Sequence, residues 1–172
     1  MDPTPPTTRT VLFLCTGNFY RSRHAEAVFN HHAAATGIGW RAFSRGLALE
    51  LGVNNVGPLA RATVERLTAL AIPHEPYLRM PAPTTEQDLA AAQLIVALKE
   101  DEHRPLMTER HPAWVERVEY WAVHDVDLVT PDVALPQIEE RVLELIGRLA
   151  GQASGATGGA GVTATSAAES QD

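Results

Sequence analysis

The sequence predicts an α/β fold, doubly wound around a parallel sheet, and three observations carry the prediction. Short apolar runs alternate along the chain with segments of helical periodicity. The first run, from Val11 to Leu14, is continuously apolar, as a strand covered on both faces must be. It ends in a loop containing Gly and Asn that leads directly into a helical segment, the kind of junction where such folds place ligands.

Each element has its own signal. Strand one ends at Cys15. Helix one runs from about Ser22 to Ala35, and Gly37 closes it in a left-handed cap. Trp40 to Ser44 reads as strand two. A loop through Ser44-Arg45-Gly46 reaches Gly57-Pro58, whose proline suits a helix start, and Leu59 to Leu70 continues as helix two. Thr84 or Thr85 caps a short helix around Glu86 to Ala92, with Gln87 or Asp88 three residues on as the partner of a capping box. Leu94 to Leu98 is strand three, followed by a polar, partly helical segment from Glu100 to Arg110. Val118 to Val123 is strand four. Ile138, Val142, Leu145, Ile146 and Leu149 recur at helical spacing, which gives a last amphipathic helix from about Leu135 to Leu149.

With 172 residues, 45% of them hydrophobic, the chain is long enough for one domain with a substantial core. Met1 to Thr8 is rich in Pro and Thr, and Gly151 to Asp172 is a Gly/Ala/Ser/Thr tract. Neither buries enough apolar area to offset its ordering entropy, so both are expected to be disordered around a domain spanning residues 9–150. A formal charge of -7 argues against a nucleic-acid surface. No segment approaches the roughly 18 apolar residues of a membrane span, and the first ten residues lack the features of a signal peptide. Cys15 is the only cysteine, which rules out a disulfide within the chain. A reduced, cytoplasmic protein is expected, and any anionic ligand must be attracted locally.

The stretch that carries chemistry is Cys15-Thr16-Gly17-Asn18-Phe19-Tyr20-Arg21-Ser22. It sits where the carboxyl end of a strand meets the amino end of a helix, and unpaired N–H groups together with the helix dipole favour an anion there. Gly17 lets the backbone approach a ligand, Asn18 tolerates a left-handed conformation, and Arg21 presents a planar fork to two oxygens of an oxyanion. A cysteine in such a positive field is activated as a nucleophile.

These residues, followed by Ala25-Glu26, resemble the signature of the low-molecular-weight protein tyrosine phosphatase family, whose fold is shared with thiol-dependent arsenate reductases. The resemblance implies a four-stranded parallel sheet in order 2-1-3-4 and a cysteine-dependent phosphomonoester hydrolase working through a cysteinyl-phosphate. It implies Cys15 as nucleophile, with Arg21 and the loop residues Thr16, Gly17, Asn18, Phe19 and Tyr20 around the substrate. Ser22 matches a serine that bonds the thiolate, and Ser44 one that bonds Asn18. The general acid of the family is an aspartate shortly after an aromatic, beyond the last strand. In Trp121-Ala122-Val123-His124-Asp125-Val126-Asp127, Asp125 fits best by its distance from Trp121, with Asp127 as rival and Asp132 more distant. Arg45 and Glu50 lie in the loop expected to wall the cleft.

The departures from the family pattern are specific. Tyr20 stands where many members carry a second cysteine, Val126 to Thr130 replace a common tyrosine pair, and Arg23-His24 replace commoner proline or glutamine and methionine. Neither a metal nor another cofactor is expected, because adjacent His31 and His32 point to different sides of a helix and neither His103 nor His111 has ligand spacing around it. The expected partners are a phosphorylated protein or small phosphomonoester, with inorganic phosphate as product and inhibitor. Two other readings remain: a single-cysteine arsenate reductase using an external small thiol, and a non-catalytic oxyanion- or phosphoprotein-binding module.

Overall fold

The computed structural model describes residues 7–52, 54–123 and 130–166, with side chains described up to residue 152. Four strands form one sheet: β1 (Arg9–Cys15), β2 (Trp40–Gly46), β3 (Leu94–Ala97) and β4 (Glu119–Tyr120). All pairings are parallel and the spatial order is β2-β1-β3-β4. The sheet is therefore the expected one, with β1 at its centre and the reversal of strand order between β1 and β3.

Alternation along β1 divides the core. Val11 and Phe13 face one side, where they pack with Val28 and Phe29 of α1 (Arg21–Thr36) and with Leu135, Ile138 and Val142 of the last helix. Leu12 and Leu14 face the other, where they meet Ile95, Met107 and Leu89. Phe13 is the aromatic hub of the first side, with ring centroids 5.9 Å from Phe29 and 5.7 Å from Trp121. Helices α2 (Arg61–Ala69), α3 (Glu86–Ala91) and α4 (Glu100–Arg110) complete the two layers. For α3 the two capping candidates resolve to Thr85, whose side chain accepts from the Asp88 N–H while Asp88 accepts from the Thr85 N–H. Gly37 caps α1 at φ 64.

Three elements differ in extent from the sequence reading. Helix α2 begins at Arg61, three residues after Pro58, because the Ala60 N–H bonds to the Phe19 carbonyl of the Cys15 loop. Strand β4 keeps only Glu119–Tyr120. Beyond it, Trp121 N–H still bonds to Ala97, but Ala122 turns to an antiparallel bridge with Lys99. The last helix, α5, spans Pro131–Ser166 where periodicity gave Leu135 to Leu149, so its backbone continues through residues expected to be disordered from Gly151. Once a helix is nucleated, propagation adds one backbone hydrogen bond for each residue fixed and needs no apolar face. Among the described side chains of α5, Leu149 is the last that is buried. Deleting residues 151–172 is accordingly expected to shift the melting temperature by no more than about 2 °C, the scale of surface changes. A larger drop in thermal denaturation would show that the tail packs on the domain.

One polar cluster ties the helices of the first layer together. Glu139 of α5 accepts from Arg66 of α2 at 2.8 and 2.7 Å and lies 2.9 Å from Nε2 of the buried His24 of α1. Burial opposes ionisation of Glu139, but the bonds from Arg66 and His24 outweigh it and hold its pKa at about 2. Burial pushes His24 below its usual range, against the pull of Glu139, so the neutral ring donates from Nε2. A carboxyl held below its unfolded value of 4.5 stabilises the fold above that pH, and this stabilisation is lost as pH falls toward 2. Glu139→Gln should cost on the order of 2 kcal/mol at pH 7, a fall of roughly 4–8 °C for a domain of this size. It should also flatten the acid limb of the stability curve between about pH 4.5 and 2. Thermal melts of both proteins across that range check it.

Candidate active site

The Cys15 loop closes the carboxyl end of the central strand, beside the strand-order reversal. Cys15 is 2% exposed, and its Sγ lies 2.9 Å from Ser22 Oγ in the first turn of α1. Asn18 Nδ2 donates to Ser22 Oγ at 2.9 Å and to Ser44 Oγ on β2 at 3.0 Å. Because the Ser22 oxygen already accepts from Asn18, its own proton is free to be directed at the sulfur. Asn18 adopts the left-handed conformation at φ 51, which an asparagine tolerates better than most residues.

The carbonyl groups of the loop are turned to donors elsewhere in the fold. Cys15 O and Thr16 O accept from Leu47 and Ala48 N–H, Phe19 O from Ala60 N–H and Tyr20 O from His24 N–H. Asn18 O accepts from the guanidinium of Arg23 at 3.1 Å. Among the described residues, no protein acceptor is used by the backbone N–H groups of Gly17, Asn18 and Phe19. With the carbonyls of Cys15, Thr16, Asn18, Phe19 and Tyr20 engaged and these amides unspent, the loop is a nest of donors for an anion.

A cleft of about 670 Å³ opens above it. Cys15 to Gly17, Phe19, Tyr20 and Arg21 line the floor. One wall is Leu51, Gly52, Asn54 and Asn55, and the other is Asp101, Glu102, Pro105 and Leu106 of α4. Gly17 lies against the first wall: a Cβ there would stand 2.8 Å from the Asn55 side-chain amide, which would have to shift. Arg45 and Glu50, expected in that wall, are directed elsewhere. Arg45 pairs with Asp88 at 3.2 Å and lies over the Phe43 ring, while Glu50 pairs with Arg110.

Arg21 is buried, with Nη2 on Glu102 Oε2 at 2.7 Å and Nη1 3.5 Å from the Val123 carbonyl. Glu102 also accepts from Thr16 Oγ1 and stands 3.1 Å from Nε2 of the buried His103. His103 Nδ1 accepts from the Lys99 N–H, which leaves the ring proton on the nitrogen facing Glu102. Burial raises the Glu102 carboxyl, but His103, Arg21 and Thr16 together hold it far below the usual carboxylate range. Reasoning on the sequence missed Glu102. The rule that sites lie between the strands at a reversal points to the segment after β3 as much as to the loop after β1, and Glu102 is in the first turn of that segment.

Behind the loop, Ser44 Oγ donates to Glu26 at 2.5 Å, and Arg79 reaches both Asn18 Oδ1 at 3.0 Å and Glu26 at 3.4 Å. Arg79 lies 61 residues from Asn18, and no local pattern could have brought it here. Asp125 and Asp127 lie outside the described residues. The chain enters their segment at Val123, whose N–H bonds to Leu98 O at 2.7 Å and whose carbonyl faces Arg21. Asp132 is in the first turn of α5, near enough to Arg66 to favour its cation. Among the described residues no group of three or more His, Cys, Asp or Glu could hold a metal ion, and no helix is long and apolar enough to cross a membrane.

The family model for low molecular weight phosphotyrosine protein phosphatases matches residues 10–152. The chain belongs to that family. No match is found among curated proteins. The low molecular weight protein tyrosine phosphatase from T. tengcongensis is 25% identical, with a TM-score of 0.66 over 84% of this chain and 99% of that one. SP-PTP, the low molecular weight protein tyrosine phosphatase from Streptococcus pyogenes, is 19% identical, with a TM-score of 0.67 over 82% and 93%. The arginine phosphatase YwlE, in a cysteine-to-serine mutant with a phosphorylated active site serine, is 23% identical, with a TM-score of 0.63 over 83% and 94%. The chain is thus a phosphatase of the low-molecular-weight family, and its substrates are phosphorylated molecules. Within the family signature, the present chain sets Tyr20 beside Arg21 and the buried pair Arg23-His24 after Ser22.

Proposed function

We propose that the protein hydrolyses phosphomonoesters through a cysteinyl-phosphate formed on Cys15, with phosphorylated protein side chains or small phosphomonoesters as substrates. The observation that carries the reading is the loop itself: Cys15 among amides that have no protein acceptor among the described residues, five carbonyls tied outward, and the Arg21 fork at the cleft floor. The equatorial oxygens of the phosphoryl group take the loop N–H groups and Arg21, so preorganised positive charge meets the negative charge that develops. The Cys15 sulfur attacks phosphorus, the ester P–O bond breaks, and the leaving oxygen takes a proton from Asp125. In the second step Asp125 accepts a proton from water, whose oxygen attacks phosphorus. The P–S bond then breaks and the thiolate departs onto the Ser22 hydroxyl. Glu102 orients Arg21 from α4. Asn18, held by Ser44, Ser22 and Arg79, keeps the loop in shape between steps. The YwlE mutant with phosphate on the serine that replaces its cysteine lends support to a covalent step. A lone thiol nucleophile suits the reducing cytoplasm.

Hydrolysis of an aryl phosphate and thiol-dependent reduction of arsenate, assayed side by side, test the reading. Expected is hydrolysis inhibited competitively by inorganic phosphate, without arsenate reduction. Arsenate reduction with a small external thiol and no phosphatase turnover would replace the reading by the reductase, and oxyanion binding with neither activity would leave a binding module.

A further inference from the structure

Arg23 is the residue of the loop region that the mechanism above does not use. Its side chain is 1% exposed, yet it makes no ion pair among the described residues. Its guanidinium donates instead to backbone carbonyls of three separate segments: Asn18 O at 3.1 Å in the Cys15 loop, Pro58 O at 2.9 Å before α2, and Tyr77 O and Arg79 O, the latter at 2.9 Å. The carbonyls occupy the two terminal nitrogens while the buried Nε has no hydrogen-bond partner among the described residues, so the charge is held without a carboxylate bonded to it, and burying a charge in that way is costly. Arg79 adds a second guanidinium behind the loop, against the single carboxylate of Glu26. Burial and Arg79 lower the pKa of Arg23 to about 10, with Glu26 and Cys15 pulling the other way, so it stays a cation at neutral pH.

The position of its contact is informative. The other engaged carbonyls of the loop are turned outward by backbone N–H groups, whereas Asn18 O, on the residue in the left-handed conformation, is turned outward by the Arg23 side chain. Releasing that carbonyl would allow the Asn18–Phe19 peptide to rotate, bringing an oxygen toward the anion and taking an N–H away. We propose that Arg23 is a positioning residue for the oxyanion: it pins the Asn18 carbonyl behind the loop and places a buried positive charge behind the loop amides. The inference rests on the reading of the Cys15 loop as an oxyanion site.

The test measures binding of inorganic phosphate by calorimetry, with thermal melts, for the wild type, Arg23→Met and Arg23→Lys. Wild-type binding is the control on the site itself, and its absence would sink the reading of the loop, not only the role of Arg23. Given that binding, Arg23→Met should weaken phosphate by roughly tenfold or more, the scale of one buried charge at a short distance in a medium of effective dielectric ~20. Arg23→Lys keeps the charge but not the fork, and should recover the greater part of that loss even where its melting temperature falls with that of Arg23→Met. A purely structural arginine would lower both melting temperatures and leave the phosphate affinity of the folded protein unchanged. Wild-type affinity in Arg23→Met, or a lysine variant no better than the methionine one, overturns the proposal. If Arg23→Met does not fold, a folded Arg23→Lys within about threefold of wild-type affinity upholds it. A folded Arg23→Lys that has lost more than that, or failure of both to fold, overturns it.

Discussion

Cys15→Ser should reduce turnover to background while leaving a folded protein that binds inorganic phosphate. The substitution removes the nucleophile and nothing else that faces the anion, since the loop amides and Arg21 do not depend on the sulfur. A serine hydroxyl retains the polar contact with Ser22 across what is now 2.9 Å. Arg21→Ala should behave differently and lose phosphate binding too, by about 10²-fold, the weight of a charged, bidentate contact. The loss has a second source in the structure. Arg21 and Glu102 are paired at 2.7 Å, so removing the cation leaves a carboxylate beside the anion site. Adding Glu102→Gln to Arg21→Ala should therefore recover part of the phosphate affinity. Phosphate titrations of the four proteins check the series, and appreciable turnover by Cys15→Ser would sink the covalent mechanism.

The central part of the fold was legible because its causes are local. A continuous apolar run gives β1, a left-handed glycine ends α1, and a Thr-x-x-Asp box starts α3. The loop was legible for the same reason, since its residues are consecutive between a strand and a helix. What was hidden depends on distant segments. Arg79 joins Asn18 and Glu26 from a stretch with no helical or strand signal, and Glu102 joins Arg21 across 81 residues. Arg23 was visible as a departure from the family pattern, but its three groups of carbonyl partners could not be read from spacing. The extent of α5 beyond Leu149 was not legible, for the opposite reason. An apolar periodicity marks where a helix is buried, and a helix prolonged by Gly and Ala beyond its buried face leaves no such mark.

The remaining large effect decides the general acid. Protonating the leaving oxygen matters little when that oxygen belongs to an acidic phenol and much when it belongs to a basic alcohol. The cost of losing the acid must therefore depend on the substrate. If Asp125 has this role, Asp125→Asn will slow hydrolysis of esters with poor leaving groups by the order of 10²- to 10⁴-fold, and that of activated aryl phosphates far less. Asp127→Asn should show a smaller effect that is the same for both classes. The described chain leads into this segment at Val123, two positions before Asp125, which is 1% exposed and whose carbonyl meets Arg21 at 3.5 Å. Rate constants for a series of aryl and alkyl phosphates, plotted against leaving-group pKa, give a steeper slope for the variant that has lost the acid. If the steep slope appears with Asp127→Asn, the acid is two residues further on and the covalent chemistry of Cys15 is unaffected. If neither variant steepens it, no aspartate of this segment protonates the leaving group, and hydrolysis by the proposed route is refuted.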